Sequence, residues 1–74
     1  MVHGGGGGLI ERIDIEKGIE IMRTFQPPGL FVYYEPPTGL YVAIDNSTGD
    51  AWVEDFDTMA EAIAWLKQEK PPTA

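Results

Sequence analysis

Apolar residues fall into five runs along this chain, separated by clusters of Pro, Gly, Asn and Asp, and the period changes from one run to the next. The last run is the clearest helix. Met59, Ile63 and Leu66 recur at helical spacing, flanked by Ala62 and Trp65. Asp57 or Thr58 can cap it, and Thr58 with Glu61 three residues on matches a capping box. Lys67 and Lys70 suit the C-terminal end of the helix dipole, and Pro71-Pro72 stops the element.

Three runs before it read as strands. Gly29 to Glu35 (GLFVYYE) is dense in aromatic and β-branched residues, and Leu40 to Asp45 (LYVAID) and Ala51 to Asp55 (AWVED) follow after short turns. Pro36-Pro37-Thr38-Gly39 supplies a preset φ and a residue tolerant of positive φ, and Asn46-Ser47-Thr48-Gly49 is the second turn. Short turns between consecutive strands imply an antiparallel meander.

Leu9 to Phe25 reads in two ways. As a helix from about 14 to 25, Asp14 is the N-cap and Ile15, Ile19, Met22 and Phe25 form the stripe, with residues 9–13 extended before it. Gly18 inside such a helix costs about 1 kcal/mol against Ala. As a hairpin, Arg12 to Glu16 alternates, Lys17-Gly18 turns and Ile19-Glu20-Ile21 alternates again. The helix is preferred, and Pro27-Pro28 ends either element. The expected fold is therefore a small α+β domain: a three-stranded antiparallel β-meander, a C-terminal helix on one face and an N-terminal helix or hairpin before it. Residues 9–70 form the domain, residues 1–8 a glycine-rich leader and residues 71–74 a tail.

Turn lengths fix an expected register. Glu35 opposes Leu40, which sets Tyr34 beside Tyr41. Asp45 opposes Asp50, which sets Ala43 beside Trp52 and Val42 beside Val53. One face then carries Phe31, Tyr33, Leu40, Val42, Ile44, Ala51 and Val53, and the C-terminal helix should cover it. The other carries Leu30, Val32, Tyr34, Tyr41, Ala43 and Trp52, with Asp45, Asp50 and Glu54 at its margin. A meander ordinarily shows water a polar face. An aromatic one needs a cover: the N-terminal segment, a second copy of the chain, or another protein.

Charge narrows the partner. The net charge is −7, and no Lys or Arg occurs between Arg23 and Lys67, where seven acidic residues fall. Such a surface cannot neutralise phosphates, which argues against nucleic acid and against anionic membranes. Without a signal-peptide pattern or a long apolar run, the expected location is the cytoplasm. The absence of cysteine removes disulfides and thiolate sites, and about sixty foldable residues make a marginal core, for which self-association is the remaining support.

Candidate chemistry is sparse. The loop Asp45-Asn46-Ser47-Thr48-Gly49-Asp50 superficially suggests calcium, but Gly falls at position five and Phe56 at position twelve, where an EF-hand needs Gly at six and Glu at twelve. Asn46-Ser47-Thr48 fits a glycosylation pattern only in a secreted protein. Ser47 has no placed base, His3 precedes five glycines, and a carboxylate pair for glycoside hydrolysis would lack a cleft. No cofactor, metal, small-molecule substrate or catalytic residue is expected. The expected role is a non-enzymatic protein-interaction or regulatory domain, acting on a partner or as a homodimer through Tyr34, Tyr41, Trp52, Asp45, Asp50 and Glu54. The alternative is an acidic mimic of nucleic acid, of a phage or mobile-element type, filling a basic groove on another protein. The strand–turn–strand–helix cadence of residues 41–66 is that of many small bacterial proteins and carries no functional residue over.

Overall fold

The structure, a computed structural model, describes residues 9–67. The expected leader (1–8), the tail (71–74) and the last three residues of the expected 9–70 domain lie outside that span. In chain order the elements are β1 (Ile10–Arg12), α1 (Ile15–Thr24), β2 (Leu30–Glu35), β3 (Leu40–Asp45), β4 (Trp52–Phe56) and α2 (Met59–Lys67).

The helix reading of the N-terminal segment holds and the hairpin does not. Asp14 is extended at the N-cap, and its carboxylate accepts the Lys17 N–H at 2.8 Å. The stripe differs from the expected one. Gly18 and Ile21 are the buried residues of α1, with Ile15 and Met22 beside them, whereas Ile19 and Phe25 are about half exposed. Two local causes account for this. A Cβ on Gly18 would overlap the Tyr33 ring, so the missing side chain lets α1 lie directly on β2. Phe25 takes the left-handed conformation (φ 62°) and donates its N–H to the Ile21 carbonyl, which closes the helix and turns its side chain off the stripe.

The extended residues before α1 are a strand in their own right. β1 pairs parallel to β2, Ile10 beside Leu30 and Arg12 beside Val32, so β1, α1 and β2 form a β–α–β unit. The expected three-stranded antiparallel sheet is thus corrected to a four-stranded mixed sheet in the order β1-β2-β3-β4. A three-residue strand paired only to a distant neighbour leaves no local signature in the sequence.

Both β2 and β3 are covered on both faces. Against α1 pack Phe31, Tyr33, Val42 and Ile44, together with Ile21. Against α2 pack Leu30, Val32 and Ala43, together with Ala62 and Leu66. The helices are therefore exchanged relative to expectation: α2 covers the face carrying the aromatic residues and α1 covers the other. A parallel crossover from β1 to β2 carries α1 to one face, and α2 occupies the face left open. The Thr58 hydroxyl accepts the Glu61 N–H at 3.1 Å, fixing the start of α2 where the capping pattern placed it. Among the described residues, no helix is long and apolar enough to cross a membrane.

Candidate functional site

Register decides where the expected site residues stand. The β2–β3 pairing matches expectation, with Tyr34 beside Tyr41 and Glu35 beside Leu40. The β3–β4 pairing is displaced by two residues: Asp45, rather than Ala43, stands beside Trp52, Ile44 beside Val53, and Tyr41 beside Phe56. A shift of two keeps each side chain on its expected face, because the pleat repeats every second residue. It does move Trp52 from the centre of the sheet to its end.

Asn46 causes the displacement. The link between β3 and β4 is a six-residue loop, 46–51, closed around this residue's fully buried side chain. Asn46 Nδ2 donates to the Pro27 carbonyl at 2.8 Å, and Oδ1 accepts the Ala51 N–H at 3.1 Å. The Asn46 and Gly29 backbones exchange both hydrogen bonds, at 2.8 and 3.2 Å. One side chain thus ties the β3–β4 loop to the segment entering β2. Ala51 takes a left-handed φ of 53° to reach it. A four-residue turn beginning at Asn46 was the shorter solution and lacks this anchor.

The six expected residues consequently separate. Tyr34 and Tyr41 lie together, ring centroids 5.0 Å apart and tilted by 50°. Tyr41 is half-buried and Tyr34 is 45% exposed. Trp52, 55% exposed, is paired with Asp45 four residues farther along β3, about 13 Å from the tyrosine pair at ordinary strand rise. Asp45 and Asp50 serve the loop: Asp45 Oδ1 accepts the Ser47 N–H at 3.0 Å and hydroxyl at 2.6 Å, and Asp50 accepts the Thr48 hydroxyl at 2.9 Å. Glu54 stands in mid-strand on β4, exposed, beside Ala43.

Two aromatic residues that the sequence reading left outside the site belong to it. Phe56 stands beside Tyr41 in the sheet, and Trp65 of α2 packs on Phe56 with ring centroids 5.8 Å apart. The row Tyr34–Tyr41–Phe56–Trp65 therefore crosses one end of the sheet and climbs onto α2. Beside it lies an open groove of about 590 Å³ lined by Leu40, Asp55, Phe56, Asp57, Glu61, Ala64 and Trp65. Its floor is apolar and its rim holds three carboxylates. Pairing of Phe56 to Tyr41 follows from the two-residue register shift, so no local signal in the sequence pointed to it.

β4 has a further property. It is the terminal strand, and Trp52, Val53, Glu54 and Asp55 are all exposed although they alternate between the two faces. Among the described residues nothing pairs with its outer edge, which leaves a row of backbone N–H and C=O groups facing outward.

Tyr33 is the described group with a resolved titration shift. Burial under α1 raises its pKa above the ordinary tyrosine value, and the carboxylates of Glu35 and Asp55 add to the rise. Among the described residues no cluster of His, Asp or Glu has the arrangement of a metal site. No protein-family model, no curated protein and no solved structure matches this chain.

Proposed function

We propose that this chain is a non-enzymatic protein-interaction domain whose contact surface is β4 together with the aromatic row beside it. The observation that carries this reading is a terminal strand whose first four residues are all exposed, including an indole 55% open to solvent. Tyr and Trp are enriched at interface hot spots, and a polar rim around them is the usual arrangement. An open strand edge adds main-chain groups able to pair with another chain. The occupant is either a second copy or a different protein.

The acidic-mimic alternative draws less support. Two of its carboxylates, Asp45 and Asp50, are used in hydrogen bonds within the 46–51 loop region rather than displayed along a line.

The test combines light scattering after size exclusion with amide hydrogen exchange, on wild type and Trp52→Ser. A wild-type dimer that becomes monomeric in the variant supports self-association through this surface. A monomer whose β4 amides exchange much faster than those of β3 supports an edge open to another protein. A monomer with β4 amides as slow as those of β3 would mean the edge is already covered within the chain, and the reading would fall.

A further inference from the structure

An open strand edge accepts many partners, so the side chains along it decide which. On the α2 side, β4 presents Trp52, Glu54 and Phe56, and the row continues into the groove rimmed by Asp57 and Glu61 over Trp65. On the α1 side it presents Val53, 39% exposed, and Asp55. Each row thus carries one carboxylate of β4, Glu54 between Trp52 and Phe56 on the α2 side and Asp55 beside the exposed valine on the α1 side, and the groove adds Asp57 and Glu61 to the α2 side. From β2 through residue 66 there is no Lys or Arg to neutralise these acids.

A second copy fits this edge poorly. The antiparallel register that pairs all five residues of β4 with themselves is centred on Glu54, which sets Glu54 against Glu54 and Asp55 against Val53. Like charges directly opposite one another in a sheet are destabilising, and each copy brings a net charge of −7. Acidic residues on a terminal strand work against pairing with a copy of the same chain. The same residues favour a strand of opposite charge.

Resting on the interaction reading above, we infer that the occupant of β4 is an extended, basic segment of another protein in which lysine or arginine alternates with apolar residues. Alternate side chains of a strand point to opposite faces. The basic row lies along Trp52, Glu54 and Phe56, where the cation opposite Glu54 meets a carboxylate flanked along the strand by two aromatic rings. The apolar row lies along Val53. The main-chain edge supplies hydrogen bonds that do not depend on sequence, and the charge pattern supplies selection.

The probe is a fluorescently labelled peptide of about seven residues, the length of an ordinary strand, alternating lysine and valine. Binding is read by anisotropy on the full chain. Three comparison peptides accompany it: glutamate for lysine, the basic sequence with every peptide bond N-methylated, and the same lysines and valines in blocks. The alternating basic peptide is expected to bind at least about tenfold more tightly than each of the three, and to weaken about tenfold or more between about 50 and 300 mM salt. Glu54→Lys combined with Asp55→Lys is expected to weaken it at least about tenfold, and Trp52→Ala about tenfold. Glu16→Lys with Glu20→Lys, which makes the same charge change on α1, should stay within about twofold after allowance for net charge.

Equal binding of the N-methylated peptide would overturn strand addition, and equal binding of the blocked peptide would overturn the alternation of basic and apolar residues. An equal loss in the α1 control would reduce the effect to overall charge and overturn the proposal as well. No binding of the basic peptide, with β4 amides still in fast exchange, would overturn the inference alone and leave the interaction surface standing. A wild-type dimer lost in Trp52→Ser, with no peptide binding, would assign the surface to a second copy instead.

Discussion

Strands β2 and β4 are close in length and both rich in β-forming residues, yet the first four residues of β2 are all buried and the first four of β4 are all exposed. Composition contributes, since β2 opens on four apolar or aromatic residues and β4 carries Glu54 and Asp55, and position in the sheet decides the rest. β2 has β1 on one side, β3 on the other, α1 above and α2 below. β4 has β3 on one side only, and α2 reaches it chiefly at Phe56 through Trp65. An interior strand contributes to folding through burial, while a terminal one leaves its side chains and backbone edge available. Substitutions in the two regions should therefore have opposite signatures: large stability losses around β2, and small stability losses with large binding losses on β4.

The largest stability effect is expected where the interior is tied together by a polar group. Asn46→Ala removes a fully buried side chain and leaves the Pro27 carbonyl and the Ala51 N–H without their partner in a partly buried site. At about 1–3 kcal/mol for each unsatisfied buried group, a loss of about 3 kcal/mol is expected by urea denaturation. A loss below about 1 kcal/mol would show that water reaches the loop and that Asn46 does not set the β3–β4 register. Next in size is Gly18→Ala. Helix propensity alone favours this change by about 1 kcal/mol. The contact with Tyr33 should reverse the sign and cost about 1–3 kcal/mol, through displacement of either the helix or the ring. Stabilisation instead would place α1 farther from β2.

Smaller effects test the boundary between the regions. Thr58→Ala removes the acceptor for the Glu61 N–H at the start of α2 and is expected to cost about 1 kcal/mol. Alkaline pH probes Tyr33. Its folded-state pKa is raised, so the unfolded chain releases this proton first. The associated stability is complete below about pH 10 and is lost as pH rises through the folded-state value. Tyr33→Phe should therefore flatten the decline in stability above about pH 10, and an unchanged decline would mean that Tyr33 ionises freely. The smallest stability change is expected for Trp52→Ser, within about 0.5 kcal/mol, as for other exposed positions. A loss above about 2 kcal/mol would make Trp52 part of the interior and erase the contrast between β4 and β2.

Several elements were legible before the structure because their causes are local. Asp14 caps a helix whichever residues lie above it, Thr58 with Glu61 opens another, and the Pro36–Gly39 turn sets Tyr34 beside Tyr41. The second register was not legible. Its determinant, Asn46, reads as an ordinary turn residue until Pro27, nineteen positions away in the chain, accepts its side-chain N–H. The expected site shared that fate in part: the tyrosines stayed together, Trp52 moved to the end of the sheet, and Phe56 and Trp65 took the place beside the tyrosines.

The sequence by itself determined the α+β composition, the C-terminal helix and three of the four strands, the face on which each strand residue points, and an acidic surface without cations from residue 24 to 66, and it left residues 9–25 between a preferred helix and a hairpin. Period, capping and turn chemistry act over a few residues and can be read along the chain. Tertiary structure alone decided that Ile10–Arg12 joins the sheet in parallel, that α1 rather than α2 covers the Phe31 and Tyr33 face, and that β4 stands at the edge. These outcomes depend on which distant surfaces bury one another and on whether Gly18 can lie against Tyr33. Such contacts join residues far apart in the chain and leave no mark on either segment alone.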